Sequence, residues 1–290
     1  MNAQPAVVGL TLNWRDASRT AACLRSLLSQ DIAHVLVWDN SADGGHSASE
    51  LARTVGADPR VTIVQSPANL GFAAGVNRGL AWLAGHFPGT WVLLINNDAI
   101  LLPGAVPSLC SALLSNPAAR LAYPNIDHGG RVCGPAYYHR PTGLLGQRSV
   151  PGSFAYASGC CLLIAADRLA APLFDEDFLM YGEDWELGWR FRQIPGALLH
   201  VPETLVFHEG SASSGLGSPF YETRMVAAHW ICARKLARNR VERGLFLAGR
   251  AAVLPARALV RAWRYRSWVP IVALWQGWRL AQAVGRISPA

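Results

Sequence analysis

The octapeptide Trp91-Val-Leu-Leu-Ile-Asn-Asn-Asp98 constrains this chain more than any other stretch. Five apolar residues of strand character run straight into two amides and a carboxylate. An unbroken apolar run of that length predicts a strand buried on both faces, as inside a parallel sheet covered by helices. Upstream, Val7–Leu12, His34–Trp38 and Val61–Val64 read as further strands. Between them Arg19–Ser29, Ser47–Val55 and Asn69–Ala84 carry helical spacing. Strands alternating with helices predict an α/β fold with a parallel, doubly wound sheet. Right-handed crossovers place all four strand ends on one edge, and ligands of such sheets bind beyond the carboxyl ends. That edge gathers Trp14, Asp39, the Asn69–Asn77 loop and Asp98.

The second half is less regular. Pro103–Ser115 predicts a helix and Leu121–Asn125 a strand, followed by a Gly- and Pro-rich loop or hairpin region over 126–152. Phe154–Ile164 predicts a strand interrupted at Ser158-Gly159. A helix starts at Glu183-Asp184, and Leu198–Val201 and Leu205–Phe207 read as short strands before His208. Beyond Tyr221 the chain is helical and basic. Residues 231–290 carry 12 Lys+Arg against one acid, Glu242, whereas residues 1–230 carry 14 bases and 18 acids. The basic character belongs to the tail and points to an anionic partner, with membrane surface favoured over nucleic acid because no nucleic-acid module is recognisable. The six cysteines show no C-x-x-C spacing, which removes the usual zinc and redox motifs and suggests reduced thiols in a cytoplasmic setting. No signal-like segment opens the chain and no apolar stretch reaches the ~20 residues of a spanning helix.

Several residues could carry chemistry. Asp98 and His208 combine carboxylate and imidazole, a donor set suited to a divalent cation that also takes phosphate oxygens, although a His after a strand also serves as an ordinary surface or core residue. Glu183, Asp184 and Glu186 complement a helix N-terminus, and Glu186 can pair with Arg190; equally, one of these carboxylates can take the proton of a sugar hydroxyl. The flank Phe178-Leu-Met-Tyr181 with Trp185 suits a sugar-binding wall or a core. Asp39 can accept from the ring N–H of a pyrimidine on which Trp14 stacks, or the two are a turn acid and a core indole. In Pro255–Trp278, Arg257, Arg261 and Arg264 fall on one helix face opposite Leu259, Val260 and Trp263, with Pro255 as a first helical residue. That pattern suits a helix lying on an anionic membrane, or one packed on the body.

Six pieces in register resemble the family 2 inverting glycosyltransferases of GT-A fold, particularly their rhamnosyltransferase-like branch. They are Leu12-Asn-Trp14; Val37-Trp-Asp39-Asn-Ser41 with Asp43-Gly44; Asn69-Leu-Gly-Phe72 through Gly75 and Asn77; Leu93 through Asp98; Phe178 through Asp184, with Leu187 and Arg190; and His208-Glu-Gly-Ser211. The resemblance implies a catalytic domain over 1–220 and a basic, Trp-rich helical tail over 221–290. It implies Asp184 as the catalytic base beside Glu183. Donor contacts are implied from Asn13, Trp14, Asp39, Asn69, Gly71, Phe72, Asn77, Asn96, Asn97 and Asp98, and Mg²⁺ or Mn²⁺ at Asp98 and His208. Two departures stand out: Asn96 begins a triplet that in the family opens with Asp, and Arg15 and Val76 stand where Asn is frequent. The implied reaction moves a sugar from a UDP or dTDP donor, dTDP-rhamnose first, to a hydroxyl of a glycan or lipid-linked glycan at the inner face of the cytoplasmic membrane. The competing readings are a non-catalytic membrane- or glycan-binding relative of the same fold and a sugar nucleotidyltransferase. The latter needs a Gly-rich N-terminal loop with Arg, which Leu10–Trp14 lacks.

Overall fold

The structure, a computed structural model, describes residues 5–169, 172–209 and 215–287, with side-chain surroundings up to residue 284. Of the sixth motif, Gly210 and Ser211 lie outside the described residues.

The chain begins β1 (Val7–Asn13), α1 (Ala17–Leu28), β2 (His34–Asp39), α2 (His46–Val55), β3 (Val61–Gln65), α3 (Gly71–His86) and β4 (Trp91–Ile95). It continues with β5 (Ala99–Leu101), α4 (Ala105–Ser115), β6 (Leu121–Asp127), β7 (Val132–Cys133), β8 (Ala136–His139), β9 (Leu145–Gly146), β10 (Ser153–Tyr156) and β11 (Cys161–Ile164). Last come α5 (Glu183–Phe191), β12 (Leu198–His208), α6 (Pro219–Lys235), α7 (Arg240–Tyr265) and α8 (Val269–Ile287).

The main sheet runs β3-β2-β1-β4-β11-β6-β12-β5, with β7 beside β6. The first four strands are mutually parallel, so their carboxyl ends share one edge as the alternation requires. β4 is buried throughout. Its Trp91, Leu93 and Ile95 pack toward α1 and α4, and its Val92 and Leu94 toward the α3 and α5 side. This is the two-faced burial expected of an all-apolar strand.

Departures from the sequence reading are concentrated downstream. The expected single strand Phe154–Ile164 is two: β10 pairs with β8 in a separate three-stranded sheet, while β11 runs antiparallel between β4 and β6. The two short strands before His208 are one, β12, bent by register shifts near Thr204 as it follows β6.

The tail shows a larger departure. Pro255 is not the first residue of a helix but lies inside α7. A proline there removes one backbone hydrogen bond at a cost of ~3 kcal/mol. Phe246, Leu254 and Ala258, buried on both sides of it, hold the helix together. The basic face is also inverted. Arg250 is fully buried and donates to the Arg140 carbonyl (2.6 Å) and the Tyr138 hydroxyl (3.0 Å). Arg257 donates to His229 Nε2 (3.0 Å), and Arg261 Nε lies 2.9 Å from both Glu222 carboxylate oxygens. Arg257 and Arg261 therefore do not form a free basic face; only Arg264 of the three is exposed. The apolar side points outward instead, with Leu259, Val260 and Trp263 all exposed. α8 closes on α6 at Gly277, where any Cβ would collide with Val226 and the Thr223 carbonyl. Among the described residues no helix is long and apolar enough to cross a membrane. All six cysteines are free.

Candidate active site

The carboxyl edge of the sheet opens into a cavity of about 410 Å³. β1 delivers Asn13 and Trp14, the turn after β4 delivers Asn96, Asn97 and Asp98, and the end of β12 delivers His208. The loop into α3 supplies Asn69, Gly71 and Phe72, and the first turn of α5 supplies Glu183 and Asp184. A second, smaller hollow of about 310 Å³ is lined by Asp39, Ala42, Asp43, Gln65 and Ser66. Twelve of the thirteen sequence-predicted residues therefore border one of the two hollows. The exception is Asn77.

Asn77 is a correction. Its Nδ2 donates to the Phe174 carbonyl (2.8 Å) and Glu176 (3.0 Å), and its Oδ1 accepts from Phe174 N–H (3.1 Å). Its amide clamps the segment leading to α5 and is consumed by that task. Trp14 borders the larger cavity and is exposed, and its chain neighbour Asn13 joins that cavity to Asp39 of the smaller hollow. Asn13 is fully buried; it acts on Asp39 rather than in open space, donating to Asp39 Oδ1 at 2.9 Å.

A hydrogen-bonded thread links the two hollows. Asn97 Nδ2 donates to Thr20 Oγ1 (3.0 Å), Thr20 to Asn13 Oδ1 (2.7 Å), Asn13 to Asp39, and Ser41 Oγ also donates to Asp39 Oδ1 (2.6 Å). Thr20 has no motif signal, being one hydroxyl on the buried face of α1; only the structure shows its role. Asn40 was visible beside Asp39 but without a task. It now has one: its side chain donates to the Gly71 carbonyl (2.8 Å) and accepts from Leu70 N–H (3.0 Å), fixing the loop that opens α3. Gly71 has φ +79°, and a Cβ there would collide with the Leu179 carbonyl, which accepts a hydrogen bond from Phe72 N–H (2.7 Å). Glycine at 71 is thus required twice, by its backbone angle and by the close approach. Leu179, Met180 and Tyr181 line the cavity, whereas Phe178 and Trp185 are core. The aromatic flank is therefore divided between wall and interior. Phe220, at the start of α6, and Ser158–Cys160 also border the cavity, and nothing in their sequence context marked them.

Among the described residues, three of the four non-glycine positions with positive φ border these hollows or the adjoining turn: Arg15 (52°), Ala42 (52°) and Tyr181 (67°). Strained backbone of this kind collects at functional sites.

The electrostatics separate the two acids of α5. Burial, and next to it the charge of Asp184, pushes the Glu183 carboxyl well above its ordinary range. Glu183 Oε2 is buried without a hydrogen-bond partner, which favours the protonated form. Burial also raises Asp184, whose Oδ1 accepts from Trp185 N–H at 2.9 Å. Asp184 is the more exposed of the two, so it carries the charge when the pair is ionised. Glu186 is tied to Arg190 through both carboxylate oxygens at 2.8 Å, the structural pairing its spacing allowed.

Asp98 Oδ1 lies 3.0 Å from His208 Nε2, both side chains being buried at the cavity wall. Among the described residues no third His, Cys, Asp or Glu completes a three-ligand cluster with them. One carboxylate oxygen and one imidazole nitrogen fit a divalent cation that takes its other ligands from a diphosphate and water, the usual habit of Mg²⁺.

The profile of Glycosyl transferase family 2 matches residues 11–169. An N-acetylglucosaminyl-diphospho-decaprenol L-rhamnosyltransferase of Mycobacterium tuberculosis is 28% identical over 222 residues, covering 66% of this chain and 71% of the relative. Among solved structures, a mannosyltransferase from Pyrobaculum calidifontis in complex with GDP-Man and Mn²⁺ superposes with TM-score 0.55 at 16% identity, covering 100% of this chain and 77% of that one. Glucosyl-3-phosphoglycerate synthase from M. tuberculosis, in complex with Mn²⁺, UDP and phosphoglyceric acid, gives TM-score 0.52 at 15% identity, covering 80% of this chain and 79% of that one. The fold is the GT-A fold with a helical C-terminal region, and the chain belongs to glycosyl transferase family 2.

Proposed function

We propose that this glycosyltransferase works with inversion, moving a sugar from a dTDP or UDP donor, dTDP-rhamnose first, to a hydroxyl of a lipid-linked glycan in cell-envelope polysaccharide synthesis. The observation that carries this reading is one cavity that holds the Asp98–His208 pair and the carboxylate of Asp184 together. Asp184 takes the proton of the acceptor hydroxyl. The freed oxygen pair attacks the anomeric carbon, and the bond to the diphosphate breaks with its electrons leaving on the phosphate oxygen. One in-line displacement inverts the carbon. A base with a raised pKa sits closer to neutrality, where proton transfer is most effective. Glu183, neutral beside it, adds no competing charge. Asp98 and His208 would hold Mg²⁺ or Mn²⁺, which supplies positive charge to the departing diphosphate. Asp39, oriented by Asn13 and Ser41, offers a carboxylate to the ring N–H that uracil and thymine share. The name of the mycobacterial relative supports a lipid diphosphate acceptor, and a position at the inner face of the cytoplasmic membrane follows from such an acceptor.

The test is a donor panel with a polyprenyl-diphosphate N-acetylglucosamine acceptor and Mn²⁺, read by mass and by anomeric coupling in the product. Transfer from dTDP-rhamnose with inverted configuration is expected. Retention of configuration removes the single-displacement mechanism, and preference for GDP donors removes the assignment of Asp39.

A further inference from the structure

We propose that the outer face of α7, with the start of α8, is a bilayer-docking surface that seats indole and aliphatic groups in the headgroup region of an anionic membrane and brings the cavity mouth to it. This is a different physical device from a basic helix face, because the arginines of the middle of α7 point the other way.

Seven exposed apolar residues of α7 form one stripe: Val241, Leu245, Ala248, Ala252, Ala256, Leu259 and Trp263, at spacings of three and four. The stripe runs nearly the whole of a 26-residue helix, roughly 39 Å at 1.5 Å per residue. Trp263 is 84% exposed, and across the turn Trp268 is 78% exposed; Val272 and Trp275 continue the surface on α8. A soluble helix has its apolar stripe inward. Here Arg250, Arg257 and Arg261 share the inward side with Phe246, Leu254 and Ala258 and are satisfied there by Tyr138, His229 and Glu222, while a second apolar stripe is left outward.

Charge identifies the occupant. Exposed arginines edge the stripe at both ends: Arg240 and Arg243 at one, Arg264, Arg266 and Arg279 at the other. The single acid of α7 and α8, Glu242, is already held by Arg238 and Arg140. A second copy meeting this face about a two-fold axis would set arginines against their own counterparts with no carboxylate to relieve them. Anionic headgroups relieve them directly, and Trp beside Arg around an apolar strip is the composition of an interfacial helix.

Geometry fixes the orientation. The ring of Tyr265, at the end of α7, lies against Gly217, where a Cβ would stand 3.2 Å from it. Arg261 lies over Tyr265 (4.9 Å) and Tyr221 (5.3 Å), and Tyr221 meets Tyr181 of the cavity wall edge-on at 5.2 Å. Phe220, between these groups, borders the cavity and is exposed. The Trp263–Trp268 corner is therefore next to the cavity rim. A lipid-linked acceptor would meet the rim at the headgroup level; that consequence, though not the docking itself, rests on the transferase reading above.

Flotation of the full chain with phosphatidylcholine vesicles, with and without phosphatidylglycerol, tests the docking without donor or acceptor. The wild-type chain is expected to float with the anionic vesicles and to remain partly bound in high salt. W263E/W268E should lower the partition coefficient by roughly tenfold or more, since it removes the two most exposed indoles. R264Q/R279Q should weaken the preference for phosphatidylglycerol and leave the salt-resistant share. Both variants should keep the thermal midpoint and the rate of donor hydrolysis in solution. A wild-type chain that consumes donor but does not float overturns the docking alone. So does W263E/W268E floating like wild type, or a wild-type dimer that this variant turns into a monomer. Flotation without any transfer leaves the docking standing and removes the transferase reading.

Discussion

The carboxyl edge of the sheet and the C-terminal helices both bury ionisable groups, and they treat them differently. At the edge, Asp39 and Glu183 are buried with no Lys or Arg ion pair among the described residues. Asp39 is met by an amide and a hydroxyl, and one oxygen of Glu183 is met by nothing. In the tail, Arg250 is buried against the phenol of Tyr138 from the body, and the half-buried Arg257 and Arg261 meet an imidazole and a carboxylate of α6. A buried ionisable group that no opposite charge of the protein answers is costly, so its persistence marks a candidate site for a ligand. A buried charge already answered is scaffold. The contrast separates site from support without reference to any relative.

The strongest way to break this contrast is at Asp184. D184N should lower the turnover number by about 10²–10⁴ while donor affinity holds. The sign of its stability effect is set by the raised pKa. The folded carboxyl loses its proton at higher pH than the unfolded one, so ionisation costs stability as pH rises through that interval. D184N should therefore be as stable as wild type or more so near neutrality, judged by melting temperature, while the rate of the wild-type enzyme climbs with pH through a value above the ordinary carboxylate range. A D184N chain that is both active and less stable would place Asp184 with the scaffold. Next, a chelator or D98N should lower transfer by roughly 10², several kcal/mol of leaving-group stabilisation being at stake. Undiminished transfer in excess chelator would leave Asp98 without a metal role.

The tail supplies the reverse test. E222Q leaves Arg261 with little exposure and no carboxylate, so denaturant unfolding should show a loss of about 2–3 kcal/mol with donor hydrolysis otherwise normal. N77A should be smaller, about 1–3 kcal/mol from the released Phe174 and Glu176 contacts, with donor affinity unchanged. A drop in donor affinity without a drop in stability would return Asn77 to the donor site.

Much of the first hundred residues was legible because β1 to β4 announce themselves as apolar runs, and a parallel sheet has only one way to present their ends. The split of Phe154–Ile164 was not legible. Both halves are strand-like, and which sheet each joins depends on partners at Tyr138 and Leu94, far away in the chain. Asn77 illustrates a different limit. Its place in a motif is readable, but an amide in the second turn of a helix suits a ligand or a neighbouring loop equally, and only the position of Phe174 decides between them. For α7 the periodicity separated Arg257 and Arg261 from Leu259, Val260 and Trp263, but it grouped Arg264 with the other two arginines, whereas Arg264 is exposed beside Trp263. It could not say which side faces inward, because the acceptors for the arginines, Tyr138, Glu222 and His229, belong to other elements. Pro255 misled for the same reason: local preference argued for a helix start, and packing on both sides of it carried the helix through.

The thread from Asn97 through Thr20 and Asn13 to Asp39 crosses the ends of three adjacent strands, β4, β1 and β2. Adjacent strands stand about 4.8 Å apart, so the two ends of the thread are separated by two strand gaps, roughly 10 Å. The sheet is thus a ruler laid beneath whatever molecule spans both hollows. Side-chain changes can alter what is gripped at either end, but not the span between them. A ligand longer by one strand gap would need another strand inserted between β2 and β4.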